Sequence, residues 1–380
     1  MKLLKKLTAL TLCLLLFLSA AGCGGDATWV YKTGDQELSA GFYITTMINN
    51  YFLAEGKFLE QGATDYTAKD VLAAEIDGVT ADAWIVEKTK TEAQQSFVVA
   101  VKAAELGVGF TEDERTNIKN YTAQVWSGQM RDTLVQYAMY TGITPEQYLL
   151  LMTRESFEKN GVSQSSLEQY FISRSISRKL FEHLYGKGGE FAVPEAEIAG
   201  EFQSKYIKAA YMVVSKEQLN GSEEDPVQAA LDADTRNQEL KALAESYLER
   251  LKAGEAIEEL DYEYRQSKAE EGTEVTMRKK EDYEGIYYRL EESTGDTLTD
   301  TLVTATGPAI ADDAYGIYIV YPLDIMEDPG DLEEYRSSLI NLLKWEEYEQ
   351  KLAEWGSEQS IVTNDKAISR YTPKKLKMEG

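Results

Sequence analysis

The chain has 380 residues, 43% of them hydrophobic and 27% charged, with 24 tyrosines and a formal net charge of −26. The length points to two domains with sizeable cores, and the apolar content excludes global disorder. The charge excludes a nucleic-acid partner, because both would be polyanions. The two cysteines, Cys13 and Cys23, are too few for a disulfide framework or a cysteine-based zinc cluster.

Residues 1–26 read MKLLKKLTALTLCLLLFLSAAGCGGD. Lys2, Lys5 and Lys6 form a positive n-region, and Leu7–Leu18 is an apolar stretch too short to span a bilayer comfortably. Ser19-Ala20-Ala21-Gly22 then lead into Cys23. The stretch resembles a bacterial lipobox, with Ala20 where leucine is commoner. That resemblance implies a lipoprotein signal peptide over residues 1–22 and lipidation of Cys23; the alternative is a plain secretory signal with a chance cysteine. Two or three acyl chains, at ~0.8 kcal/mol per buried methylene, anchor a protein stably where one would not. Cleavage would remove Cys13 with three lysines and no acids, taking the formal charge from −26 to −29.

Downstream, residues 28–38 predict two short strands around Thr33-Gly34-Asp35, and Ser39 an N-cap for a helix to roughly Leu53. Helix then follows helix to about residue 185. The stretch 81–106 ends at Gly107, Thr111-Glu112-Asp113-Glu114 opens another helix, and Thr144-Pro145-Glu146-Gln147 carries N-cap, N1 and capping-box residues. Ser163–Tyr185 shows Ile172, Ile176, Leu180 and Leu184 on one stripe. After Gly186-Lys187-Gly188-Gly189, Val193-Pro194-Glu195 restarts a helix to about Tyr206. Residues 205–214, KYIKAAYMVV, read as a buried strand. Residues 217–235 look like a solvated acidic loop or a loop leading into a helix start, 236–253 a helix ended by Gly254, and 265–285 a charged stretch without pattern. Residues 315–321, YGIYIVY, are a second strand, and 331–355 a long amphipathic helix whose apolar face needs a partner, expected in the N-terminal helices. The end of the chain, with Lys374, Lys375 and Lys377, reads as a frayed basic tail.

The region 191–265 resembles a parvulin-type peptidyl-prolyl isomerase module. FAVPEAEIAGEFQSKYIKAAYMVV is similar to its first helix and strand, and Gly254, Leu260 and Tyr264 match a Gly-x-x-Phe-x-x-Leu-x-x-x-Tyr pattern in which Ile257 replaces Phe. Gly307–Val320 resembles its last turn and strand. The order of elements is similar to the bacterial SurA and PrsA chaperone-foldases. It implies an α+β chain: a mainly helical, discontinuous SurA-N-like chaperone domain (residues 23–200, completed by helix 328–360), an inserted parvulin-like module (201–327) and a tail (361–380). The resemblance places the two expected histidines at Tyr211 and Tyr318, and the Gly-Gly run is missing from 265–285. Catalysis of a rotation whose barrier is about 18–20 kcal/mol needs a shaped apolar pocket and polar groups favouring the twisted amide. A module without its histidine pair therefore reads as a peptide binder with weak or no turnover.

Other residues carry less. His183, the one histidine, adjoins an apolar helical stripe with no cysteine nucleophile or G-x-S-x-G motif in the mature chain, which favours a structural role. The acidic runs Glu223-Glu224-Asp225, Glu270-Glu271 and Asp312-Asp313 lack EF-hand spacing and read as solvated surface. No metal or other cofactor is implied. Tyr121, Trp126, Met130, Tyr137, Met139 and Tyr140 fit either core packing or an adaptable client-binding surface. The expectation is an extracytoplasmic foldase, anchored to a bacterial membrane through Cys23 and binding unfolded or exported polypeptides. The alternatives are an active isomerase with an atypical site at Tyr211, Tyr318 and Tyr264, and a non-catalytic scaffold lipoprotein with one dedicated partner.

Overall fold

The computed structural model describes residues 28–131, 152–218, 225–289 and 293–378. The chain is mainly helical with small antiparallel sheets, an α+β protein. It divides into two compact units, one of residues up to Ala192 together with Leu343 onward, the other of Val193–Leu342. The helix Pro329–Glu358 runs through the division.

In the first unit, strands β1 (Trp29–Thr33) and β2 (Gln36–Ser39) form an antiparallel hairpin. Ser39 caps the next helix, its Oγ accepting from the Phe42 amide at 3.2 Å. That helix, Ala40–Glu60, is buried without interruption from Ala40 to Tyr51. A helix apolar all round belongs at the centre of a unit, and several of its polar groups find partners there, although the Tyr43 hydroxyl and Asn50 Oδ1 are buried without one among the described residues. The Thr45 and Thr46 hydroxyls donate back to the carbonyls of Gly41 (2.8 Å) and Phe42 (3.1 Å), and Asn50 donates to Glu92 at 3.0 Å. A two-residue hairpin of β3 (Glu75–Ile76) and β4 (Val79–Thr80) precedes helix Ala81–Leu106. That helix stops at Gly107, whose φ of 70° is the left-handed C-cap conformation.

Helix Glu112–Ser127 opens with a capping box between Thr111 and Glu114. Lys179, on helix Gln164–Tyr185, donates to both Glu114 oxygens at 2.6 and 2.7 Å. The Lys179 ammonium first, and the Thr111 amide second, hold the Glu114 carboxyl down to about 2. A carboxyl depressed on folding contributes stability above its unfolded pKa of roughly 4.3 and loses that contribution as pH falls through the folded value. An NMR pH titration should therefore place the Glu114 midpoint near the bottom of the carboxylate range, and Lys179→Met should raise it. A midpoint unmoved by that substitution would refute the assignment.

The C-terminal half of helix Pro329–Glu358 packs in this unit. Tyr348 is fully buried, with ring centroids 5.3 Å from Phe181 and 6.2 Å from Tyr185, and its hydroxyl donates to the Ser177 carbonyl at 3.3 Å. The basic end of the chain, expected to fray, is built into the unit instead. β9 (Val362–Thr363) pairs antiparallel with β1, giving the order β2-β1-β9. Asn364 Nδ2 donates to the Trp29 carbonyl at 3.0 Å, and Ile361, Tyr371, Leu376 and Met378 pack on the core. The lysines lie on the outside of a segment held by its apolar residues.

The second unit is built on a four-stranded antiparallel sheet. In chain order its strands are β5 (Tyr206–Ser215), β6 (Glu284–Tyr288), β7 (Ala309–Asp312) and β8 (Gly316–Leu323), and in space their order is β6-β5-β8-β7. The two apolar segments read as strands, 205–214 and 315–321, thus lie side by side, Tyr211 opposite Val320 and Val213 opposite Tyr318. Alternation of period two sends Ala210, Met212, Val214, Ile317 and Ile319 to one face. Helices Pro226–Lys252 and Ile257–Lys268 supply Leu240, Ala244, Tyr247, Leu260 and Tyr264 to the same core. Of the two readings of 217–235, the helix start is the one found: the chain is helical from Pro226, with Asp225 as N-cap to the amides of Val227 and Gln228.

Two polar clusters tie this unit together. Asp261, 4% exposed, accepts from Arg265 Nε at 2.6 Å and from the Tyr283 hydroxyl at 2.7 Å, fastening the segment before β6 to helix Ile257–Lys268. Burial, then Asp261, push the Tyr283 hydroxyl up to about 12. Lys208 on β5 reaches Glu284 on β6 at 3.1 Å and Asp331 at 2.8 Å. The Asp331 and Glu284 carboxylates outweigh desolvation and raise the lysine above its ordinary range.

Candidate site on the tyrosine face of the sheet

The opposite face of the same sheet is covered differently. Ala209 and Val320 are buried under Leu302 of the short helix Thr297–Thr304, while Tyr211, Tyr287, Leu298 and Ala305 pack around them half-buried. The register accounts for the grouping. Residues 209 and 211 on β5, and 318 and 320 on β8, share this face because their neighbours 210, 212, 317 and 319 fill the other.

Tyr211 and Tyr318 are diagonal neighbours across β5 and β8. Their ring centroids are 6.2 Å apart with planes at 60°, an edge-to-face arrangement. Tyr318 stands over Gly316: a Cβ there would lie 2.8 Å from Val213 Cγ2 and 3.5 Å from Tyr318 Cζ, so no side chain fits beneath the ring. Tyr287 is the third ring. It folds back along β6 over Gly285, where a Cβ would come within 2.6 Å of the Tyr287 hydroxyl oxygen. Both glycines serve close approach rather than unusual backbone torsions.

Burial raises the Tyr318 hydroxyl, with Asp313 adding to the effect, and burial followed by Tyr211 raises that of Tyr287. Both remain neutral phenols at physiological pH, able to donate a hydrogen bond but unsuited to accept a proton as a base. Asp313 is itself held in the turn before β8, accepting from the amides of Tyr315 (2.7 Å) and Gly316 (2.9 Å). Aromatic faces flanked by Leu298, Leu302 and Ala305 suit an apolar ring, and the phenols suit a peptide carbonyl. Among the described residues no group of three His, Cys, Asp or Glu is placed to hold a metal ion.

The sequence-expected trio is brought together only in part. Tyr264 lies in the core of the other face, 6% exposed, its hydroxyl accepting from the Ser215 amide at 2.9 Å. It supports the end of β5 from behind the sheet. The ring placed beside Tyr211 is Tyr287, in a five-residue strand hidden behind a charged stretch; the alternation in EGIYY was its one available sign.

In the helical unit, the Trp126 ring stacks on Phe157 at 5.6 Å, Tyr121 meets Phe171 edge-on at 4.9 Å, and Met130 packs on the same core. These three are half-buried and engaged with their own unit. Tyr137, Met139 and Tyr140, and also Cys23, lie outside the described residues. His183 is exposed in the last turn of its helix. No helix among the described residues is long and apolar enough to cross a membrane.

No protein-family model matches the chain, and a search of curated proteins finds no match. Among solved structures the chain is similar to PrsA from Bacillus subtilis, at 16% identity, 94% coverage of each chain and a TM-score of 0.21. It is similar to the foldase protein PrsA from Lactococcus lactis at 14% identity, covering 78% of this chain and 98% of that one with a TM-score of 0.25. For the foldase protein PrsA from Streptococcus pneumoniae the values are 12%, 78%, 97% and 0.26.

Proposed function

We propose that the protein is an extracytoplasmic chaperone or foldase, held at a bacterial membrane through lipid on Cys23, that binds unfolded or exported polypeptides and has weak or no prolyl isomerase turnover. One observation carries the reading. Tyr211 and Tyr318 stand together on one face of adjacent antiparallel strands, at the two positions where a parvulin-like module is expected to hold its histidines. On this reading the half-buried Tyr211, Tyr287, Leu298 and Ala305 supply the apolar contact for a peptide, in a module without the imidazoles.

A neutral phenol still donates a hydrogen bond, and this observation favours the second reading, an isomerase with an atypical site in which Tyr318 polarises the peptide carbonyl. A protease-coupled assay on an X-Pro peptide separates the two. The expected rate is near background, while the Tyr211→Ala/Tyr318→Ala double variant should lose about tenfold or more in affinity for the same peptide. A robust rate that falls in Tyr318→Phe would establish the enzyme instead.

The chaperone part is tested by suppression of aggregation of several unrelated unfolded proteins, using the chain lacking residues 1–23. Failure against all of them, with tight binding to one folded partner, would favour a scaffold. For the anchor, Cys23→Ala should abolish lipid labelling and release or mis-process the protein. Labelling and membrane retention unchanged from wild type would remove that part of the proposal.

A further inference from the structure

The helical unit contains an open cleft of about 1040 Å³, at the upper end of the range of about 300–1,000 Å³ usual for ligand pockets. Its apolar lining includes Leu72 and Ala73 on one side and Leu376 and Met378 from the C-terminal segment on the other. Its charged lining is Lys69, Lys159, Lys374 and Lys377 against the single acid Asp82. All four lysines are exposed. In a chain with 65 acidic and 39 basic residues, this concentration of cations around an apolar floor is a local inversion of charge.

The cleft is built rather than draped. Lys374 bridges to Asp82 at 3.0 Å, across from the C-terminal segment to helix Ala81–Leu106. The main chain of Lys377 is pinned by both ends of one side chain, its amide donating to Asn160 Oδ1 at 2.7 Å and its carbonyl accepting from Asn160 Nδ2 at 3.2 Å. Lys159 is engaged with Glu155 at 2.9 Å, an exposed pair that competes weakly with an incoming carboxylate.

We infer that this cleft takes an extended polypeptide segment whose apolar side chains are flanked by Asp or Glu. The kind of ligand rests on the client-binding reading above; the charge preference rests on the cleft alone. A concave site with cations around an apolar floor fits one chain of mixed apolar and acidic character. A planar anionic membrane surface cannot follow the floor. The protein's net negative charge would otherwise repel acidic segments, and the lysine rim lowers that barrier locally.

The test compares two fluorescent peptides with one apolar centre, flanked by glutamates or by lysines, binding to the full chain on phosphatidylcholine nanodiscs. The acidic peptide should bind at least about tenfold more tightly, and the preference should shrink as salt rises above about 0.15 M. Lys69→Glu/Lys377→Glu should abolish or reverse it, whereas Lys119→Glu, an exposed charge reversal on helix Glu112–Ser127 away from the cleft, should leave it unchanged. Equal affinity for the two peptides overturns the inference, as does a preference untouched by the charge reversal. So does loss of phosphatidylglycerol-vesicle binding in that variant with peptide binding intact, which would assign the lysines to a membrane. Suppression of aggregation without any charge preference removes this inference and leaves the client-binding reading standing. A charge preference without suppression supports the cleft and removes that reading.

Discussion

Tyr348→Ala should destabilise the helical unit by about 3–5 kcal/mol, the usual cost of deleting a large buried aromatic side chain. Tyr348 is fully buried, its ring centroid 5.3 Å from Phe181, 6.2 Å from Tyr185 and 5.6 Å from Trp345. The hydroxyl is the lesser part. Its bond to the Ser177 carbonyl at 3.3 Å is long, and Tyr348→Phe should cost only about 1 kcal/mol. Hydrogen exchange gives the appropriate measurement, because a chain of two units does not unfold in one step. Protection along Gln164–Tyr185 should fall in Tyr348→Ala, while β5 and β8 keep theirs. Unchanged protection in that helix would show that residues 343–358 are not needed to close the unit.

Asp261→Ala should be the most damaging polar substitution in the sheet unit, at about 3 kcal/mol or more. Breaking a buried ion pair from one side leaves the other charge uncompensated, and the stranded group here is Arg265, 23% exposed. The Tyr283 hydroxyl loses its acceptor in the same step, and with it the fastening of the segment that leads into β6. Asp261→Asn keeps an acceptor and should cost less. The readout is exchange protection of the β5 and β6 amides, and a loss below about 1 kcal/mol would mean that Arg265 finds another partner. Because β6 carries Tyr287, the alanine variant should also weaken X-Pro peptide binding without any change at Tyr211 or Tyr318.

The elements legible in the sequence were those whose signals are local. Ser39, Thr111 and Ser163 announced their helices, and each caps one. The apolar runs of β5 and β8 were readable because both strands are central and buried on two faces. β6 and β7 are edge strands of five and four residues, and they take their structure from a neighbour's hydrogen bonds more than from their own pattern. Helix Thr297–Thr304 contains four threonines, residues that do not favour a helix interior, and it is held by Leu298 and Leu302 against the sheet. The site divided along the same line. Tyr211 and Tyr318 were reachable because they sit on the readable strands. Tyr264 was grouped with them because a tyrosine's position in sequence does not say which side of a sheet its helix covers. The closing segment was misread because Lys374, Lys375 and Lys377 outweighed Ile361, Leu376 and Met378, whose spacing has no period.

The pairing of β9 with β1 has a bearing on how the chain is made. Any polypeptide leaves the ribosome, or a secretion pore, from its N-terminus. β1 therefore emerges well before β9, and one of its edges waits for a distant partner: the Asn364–Trp29 bond joins positions 335 residues apart. Until then, the unit lacks its seal and the N-terminal sheet keeps an open edge. Completion of the helical unit thus waits for synthesis of the β9 segment, and a chain stalled or clipped before residue 362 would carry an unsatisfied edge on β1.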